Sequence, residues 1–267
     1  MDAASIQKDE TRAVFDHIAS TYDGGGPGVF AHFGRRLVEI AGVRPGERVL
    51  DVATGRGAVL FPAAERVGVA GEAVGIDLAA EMARSTADEA RQRGLPVRTA
   101  VMDAEHLDFA EGAFDWVLCG FGIMFFPHLQ RALAEFRRVL RPGGQIGLST
   151  WRVAQTDDLA TVLTQLGLFA PGGYYRNYKE PVELVNVLVS AGFADPQVSE
   201  DTATFVYSDV EQYWETAAGT WMWLRLNALD APSVQRARAA LAERLVPHRH
   251  SDGIHRPVTA LIAVARR

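Results

Sequence analysis

The sequence predicts an α/β fold, a doubly wound and mostly parallel sheet of seven strands. Three observations lead there. Apolar strand-like runs alternate with segments of helical spacing through the first 151 residues. The first run passes straight into a glycine-containing turn, VLDVATGRGAVL (49–60), which opens a helix. Acidic residues close three successive runs. Alternation of this kind means parallel strands joined by right-handed crossovers.

The elements follow in order. Residues 9–20 carry helical spacing, with Val14, Phe15 and Ile18 on one face. Gly24, Gly25, Gly26, Pro27 and Gly28 break the chain. A second helix is expected over 29–41, with RPGE (44–47) as a turn. Strands are expected at 48–51, 73–77, 97–102, 114–119 and 145–151. Helices are expected between them at 57–67, 78–93 and 129–140, and RPGG (141–144) reads as the tight turn into the fifth strand. Beyond 151 the pattern loosens. Helices are expected at 157–169 and 181–191, and strands at 197–207 and 258–265, with a tryptophan-rich, mostly helical insert before the last strand.

Composition narrows the functional class. The chain has 267 residues, 48% hydrophobic, enough for one large domain. Net charge is −6 and the basic residues are scattered, which argues against a nucleic-acid groove. With one cysteine, Cys119, no intramolecular disulfide and no multi-cysteine metal site can form. His248 and His250 have no acidic or cysteine partner at ligand spacing, so no metal is expected. The polar start MDAASIQKDE has no apolar signal core, and no stretch reaches the ~18 apolar residues of a membrane span, so a cytoplasmic protein is expected.

In such a sheet a ligand sits at the carboxyl ends of the strands, where strand order reverses. The first strand ends at Asp51, and Ala53, Gly55 and Gly57 then let backbone approach a ligand closely. The helix that follows offers unpaired N–H groups. Asp77 ends the second strand twenty residues after Gly57, a position from which an acid can accept from both ribose hydroxyls. It could equally cap the helix beginning near Ala79. Asp103 ends the third strand. Dinucleotides and S-adenosylmethionine both carry such a ribose. Counted from Gly55, the sixth residue of a dinucleotide fingerprint is Leu60, and counted from Ala53 the match is degenerate. The Asp51 carboxylate would repel a pyrophosphate and suits an ammonium group.

VLDVATGRGAVL, VGIDLAAEM, VMDAEHLDFAEGAFDWVLCGFGI and FRRVLRPGGQIGLSTW, in this order, resemble the S-adenosylmethionine-dependent methyltransferases of the Rossmann-like class. The similarity is greatest to the ubiquinone/menaquinone-biosynthesis type and to small-molecule methyltransferases of secondary metabolism. It covers about residues 10–151 well, with Ala53 standing where the family often has glycine. The resemblance implies that Ala53, Gly55 and Gly57 pass under methionine and ribose, and that Asp51 takes the ammonium. It implies that Asp77 holds the ribose, Leu78 and Met82 pack on adenine, and Asp103 and Ala104 bond its edge. Cys119, Gly120 and Phe121 would flank the methionine, although Cys119 reads equally as an inert buried thiol. FDHIASTYDGGG (15–26) resembles the family segment that folds over the cofactor, with Tyr22 near the methionine or the substrate. Phe15, Ile18 and Tyr22 also form the apolar face of a helix.

The organisation expected is thus an N-terminal helical lid (1–45) and a methyltransferase domain (46–267) with a cap insert at about 208–255. Phe15, Met124, Tyr174, Tyr175, Trp214 and Trp221 are the expected substrate residues, and they favour an apolar or aromatic acceptor. Tryptophans at this spacing also suit the core of a cap. The reaction expected is in-line methyl transfer to O, C or N of a small metabolite, leaving S-adenosylhomocysteine. His128 and Tyr22 are the expected catalytic groups, and a homodimer or higher homo-oligomer would suit an aromatic cap and mobile arm. The alternative is a cofactor-binding protein of this fold catalysing a non-methylating reaction such as cyclisation.

Overall fold

The computed structural model describes residues 2–152, 158–169 and 178–267. The elements are α1 (Ala3–Ile18), α2 (Val29–Ala41), β1 (Arg48–Val52), α3 (Leu60–Val67), β2 (Glu72–Asp77), α4 (Ala80–Arg93), β3 (Val97–Val101), β4 (Phe114–Gly120), α5 (Leu129–Val139) and β5 (Leu140–Trp151). There follow α6 (Asp158–Gln165), α7 (Pro181–Ser190), β6 (Ala194–Tyr207), α8 (Val210–Ala218), α9 (Trp223–Leu226), α10 (Ala231–Arg244), β7 (Arg249–His250) and β8 (Gly253–Arg266).

The sheet runs β3-β2-β1-β4-β5-β8-β6, seven strands, with the two-residue β7 paired to β8 as an eighth. The first five are parallel, and β8 is antiparallel to both β5 and β6. Strand order therefore reverses between β1 and β4. Among the described residues no helix is long and apolar enough to cross a membrane.

Period-two alternation sends side chains to two cores. Val49 of β1 and Trp116 and Leu118 of β4 face α2 and α3, where Phe33, Leu37 and Leu60 are fully buried. Leu50, Val117 and Cys119 face α5 and α7, with Phe136 and Leu184. The α2 contact is close. A Cβ on Gly34 would lie 2.0 Å from the Ala58 carbonyl oxygen, so the helix reaches the β1–α3 loop only through glycine.

The segment expected as a lid thus contains two different things. α2 is part of the main core, whereas α1 packs on α4 and α9 through a smaller cluster, Val14, Ile18 and Ala19 against Ala79 and Met82. α1 begins at Ala3, six residues before the expected start, because Asp2 caps it by accepting the Ser5 N–H at 2.8 Å. β5 begins at Leu140, but Phe114 pairs with Leu140 and Trp116 with Gln145, so RPGG (141–144) loops out between them.

The cap helices α8 and α10 join the α2 side of the core through Tyr213, Trp214, Ala237 and Leu241. Asp158, 3% exposed, sits between Arg244 and Arg256 at 2.7 Å from each and fastens the cap to α6 and β8. The linker before α2 also meets the cap: Gln212 Nε2 donates to the Gly25 carbonyl at 2.7 Å, and a Cβ on Gly26 would strike the Thr216 side chain.

Candidate active site

A cleft with two lobes opens at the carboxyl ends of β1, β2, β3 and β4, at the reversal of strand order. The lobes share Tyr22, Ala53, Gly55, Gly120 and Phe121. They hold about 720 and about 1340 Å³ of atom-free space, open solvent at the mouths included.

The first lobe lies beside β2 and β3. Asp77, Leu78, Asp103 and Ala104 line it, with Phe15 from α1. The second lies over β1, with Asp51, Gly57, Asp23 and Phe30.

The cleft floor stores backbone strain. Among the described residues four non-glycines have positive φ, and three of them, Asp23 (55°), Ala53 (56°) and Phe121 (55°), line the cleft. A phenylalanine in that region is a true outlier, held by surrounding structure. The Phe121 N–H donates to the Ser149 carbonyl at 3.0 Å and its ring stacks on Trp151 at 3.8 Å. Gly57, φ 79°, has no room for a side chain because the Phe61 ring would be 2.6 Å from its Cβ.

The β1–α3 loop is tied at each end. The Thr54 N–H donates to the Ile76 carbonyl at 2.9 Å and its hydroxyl donates to Asp51 Oδ2 at 2.7 Å. Asp77 Oδ2 accepts the Gly55 N–H at 2.8 Å and Oδ1 accepts the Ala79 N–H at 2.9 Å. Asp77 thus bonds the start of the next helix, the alternative that its position allowed. The Leu78 N–H also acts on this carboxylate, which still has acceptor capacity left for a ligand hydroxyl.

Asp51 is 1% exposed, and its Oδ1 has no hydrogen-bond partner among the described residues. Burial raises its pKa to about 7, against the pull of the Thr54 hydroxyl and, more weakly, of the Leu60 N–H, which does not reach hydrogen-bond geometry, and with the charge of Asp77 adding to the rise. Burial likewise raises Asp77 to about 6 and Asp23 to about 6, although N–H groups pull both the other way. Carboxylates so placed gain from a cation brought into contact with them.

Asp103 differs. It is also partly buried, but Lys8 Nζ at 2.7 Å and the Glu105 N–H at 2.9 Å hold its carboxyl below the ordinary value. Tyr22 stacks on Phe30 at 5.0 Å and meets Phe15 edge-on at 5.9 Å. Burial, then the charges of Asp23 and Asp77, push its hydroxyl well above the ordinary phenol range, so it remains a proton donor.

Other expected site residues lie elsewhere. Met82 is fully buried between α1 and α4, because it points from the inner face of α4 toward Val14 and Ile18. Cys119 alternates to the α5 face, and burial raises its thiol pKa, so it is an inert core group. Met124 turns into the core, leaving Phe125 and Phe126 beside it to face the first lobe. Trp214 is 4% exposed in the cap core with Arg238 over its ring at 4.6 Å, and Trp221 packs toward Phe169. His128 precedes α5 and its N–H donates to Glu105 at 2.8 Å, outside the lining of both lobes. Tyr174 and Tyr175 lie outside the described residues.

Lys8, Glu105 and Phe30 enter the site without having been expected there. Glu105 stands two residues after Asp103, and Phe30 two after the glycine break, which were the available signals. For Lys8 no signal existed, because its reach depends on how α1 lies.

The fit to S-adenosylmethionine rests on the unpartnered Asp51 oxygen for an ammonium, the remaining acceptor capacity of Asp77 for a ribose, and Asp103 with the Ala104 backbone at the far end. Comparison with known proteins bears on the family. A methyltransferase-domain family profile matches residues 49–144. The chain is 47% identical over 137 residues to nocamycin O-methyltransferase of Saccharothrix syringae, covering 51% of this chain and 49% of that one. It is 44% identical over 151 residues to aklanonic acid methyltransferase DauC of Streptomyces sp. strain C5, covering 56% of this chain and 68% of that one. The match thus spans about half of the first relative's length and about two thirds of the second's. The YcgJ protein from Bacillus subtilis shares the fold, with a TM-score of 0.61 at 20% identity over 88% of this chain and 98% of that one. The chain belongs to the S-adenosylmethionine-dependent methyltransferases of the Rossmann-like class.

Proposed function

We propose that this protein transfers the methyl group of S-adenosylmethionine to an oxygen of a small, largely apolar or aromatic metabolite. The observation that carries the reading is the row of strand-end acids in one cleft, with Asp51 buried and one of its oxygens unpartnered. Asp51 receives the ammonium, Asp77 the ribose hydroxyls, and Asp103 and Ala104 the adenine edge. Bound there, the cofactor supplies an electrophilic methyl group on a sulfonium.

The chain's own work is alignment and exclusion of water. Tyr22, Gly120 and Phe121 stand where the lobes meet, so they flank the transferred group. The Tyr22 hydroxyl keeps its proton and orients an acceptor oxygen by donating to it. Phe30, Phe121 and Trp151 form an aromatic cluster beside it, Phe30 lying 5.6 Å from Phe121 and 5.7 Å from Trp151, which favours a flat ring. Among the relatives, nocamycin O-methyltransferase supports oxygen as the nucleophile, whereas the UbiE relative of Ralstonia pickettii is a C-methyltransferase.

Calorimetric titration with S-adenosylmethionine and with NAD tests the site, and a panel of phenols, enols and aromatic acids tests the chemistry. Micromolar binding of S-adenosylmethionine alone, with S-adenosylhomocysteine and methylated acceptor formed together, is expected. Preference for NAD would overturn the cofactor assignment. Conversion of an acceptor with the cofactor recovered intact would overturn methyl transfer in favour of cyclisation.

A further inference from the structure

Only the second half of α1 is held by apolar packing. Val14 and Ile18 are buried, whereas the sole buried side chain of the first three turns is Gln7. The first half is held by polar groups instead. Gln7 Nε2 donates to the Phe125 carbonyl at 3.4 Å. Lys8 Nζ lies 2.7 Å from Asp103 Oδ2 and 2.7 Å from Glu105 Oε2.

The Glu105 side chain is 1% exposed, and its other oxygen accepts the His128 N–H at 2.8 Å. Lys8 therefore joins α1 to the end of β3 and, through Glu105, to the start of α5. Lys8, Thr11 and Phe15 of α1 also line the lobe, together with Leu78 and Ala104.

We propose that Lys8 is a positioning residue that latches α1 over the nucleoside lobe and fixes the Asp103 carboxylate toward the adenine amino group. This rests on the reading of the cleft as an S-adenosylmethionine site. Two carboxylates two residues apart repel at close range, and one ammonium bonded to both relieves that. On Asp103, Oδ1 accepts the Glu105 N–H at 2.9 Å, and Oδ2 takes Lys8, with His106 Nδ1 at 3.4 Å. One lone pair of Oδ1 remains for the amino group. Removing the ammonium leaves the acids uncompensated and the first half of α1 without its charged anchor, so both the α1 lining and the acceptor loosen.

The test compares wild type, Lys8→Met and Lys8→Arg. Methionine keeps the apolar stem and removes the charge, and arginine restores it. S-adenosylhomocysteine should dissociate about tenfold faster from Lys8→Met, the size of a charged hydrogen bond, with arginine recovering most of the loss. Hydrogen exchange of residues 3–11 should quicken in ligand-free Lys8→Met while residues 14–18 stay protected. A merely structural lysine would lower the melting temperature and leave dissociation unchanged, and that outcome overturns the proposal. If wild type binds no S-adenosylhomocysteine, the cofactor reading fails. The exchange measurement then decides the latch alone, unaltered exchange at 3–11 overturning it.

Discussion

Asp103 and Asp51 end neighbouring parts of the same sheet edge, yet they meet opposite surroundings. Asp103 has its cation supplied by the chain, Lys8 at 2.7 Å, and its pKa is held down. Asp51 has Asp77 near it, no ion pair among the described residues, and a pKa raised to about 7. One end of the cleft is electrostatically complete before a ligand arrives, and the other is not. In the binding mode proposed above, charge is left uncompensated where the cofactor would carry its ammonium and sulfonium, and compensated where it would carry a neutral base. On that proposal, part of the binding energy for the cation would be held as instability of the empty site, an arrangement common at functional positions.

The largest expected break in this contrast is Asp51→Asn. It should weaken S-adenosylmethionine binding on the order of a hundredfold, because a buried charge pair loses one member. It should also raise the melting temperature of the ligand-free protein at pH 8, because an uncompensated buried charge is gone. Calorimetry and thermal melting read the two effects, and a lower melting temperature would mean that Asp51 is already compensated.

Acidity sharpens the same point. Asp51, Asp77 and Asp23 have folded values above those of the unfolded chain, so each stabilises the empty fold at low pH. That contribution is full below about pH 4 and is lost as pH rises through about 6 to 7. The cation needs the ionised form, so affinity should move the other way. It should rise about tenfold per pH unit toward pH 7 and then level off. Asp51→Asn should flatten the step nearest pH 7. Affinity independent of pH from 5 to 8 would contradict the cause assigned to these shifts.

Two smaller effects separate floor from cover. Gly57→Ala forces a side chain into a left-handed backbone and against the Phe61 ring, and should cost about 2 kcal/mol of stability by denaturant titration. Asp16→Ala removes the acceptor of the Glu81 N–H across the α1–α4 contact and should cost about 1 kcal/mol. If Asp16→Ala cost more than Gly57→Ala, α1 would be the more tightly built of the two.

The sheet was legible because its signals are local. Alternating apolar runs, three strand-end acids and ATGRG placed five parallel strands and the cleft. The start of α1 was not, because apolar spacing begins at Val14 while the helix begins at an Asp2 cap. Facing direction was the other failure. Met124 and Phe125 are adjacent, and only the short turn Ile123–Phe125 decides which one enters the core. The cap tryptophans read equally as lining or as core, and burial assigned Trp214 to the core. His128 sits close in sequence to the right edge, but its backbone N–H bonds Glu105 and its side chain is exposed, outside the lining of both lobes.

The antiparallel end of the sheet bears on how the chain is made. β6 pairs with β8, which follows it after 45 residues of cap, while β8 fills the place between β5 and β6. At ribosomal rates of about 5–20 residues per second, β6 waits several seconds for its partner. A bare fourteen-residue strand is an aggregation hazard over that interval. Its own sequence, ADPQVSEDTATFVY, carries Asp195, Pro196, Glu200 and Asp201, the residue types that keep an unpaired strand in solution. The acids of this strand thus serve the nascent chain before they serve the folded one.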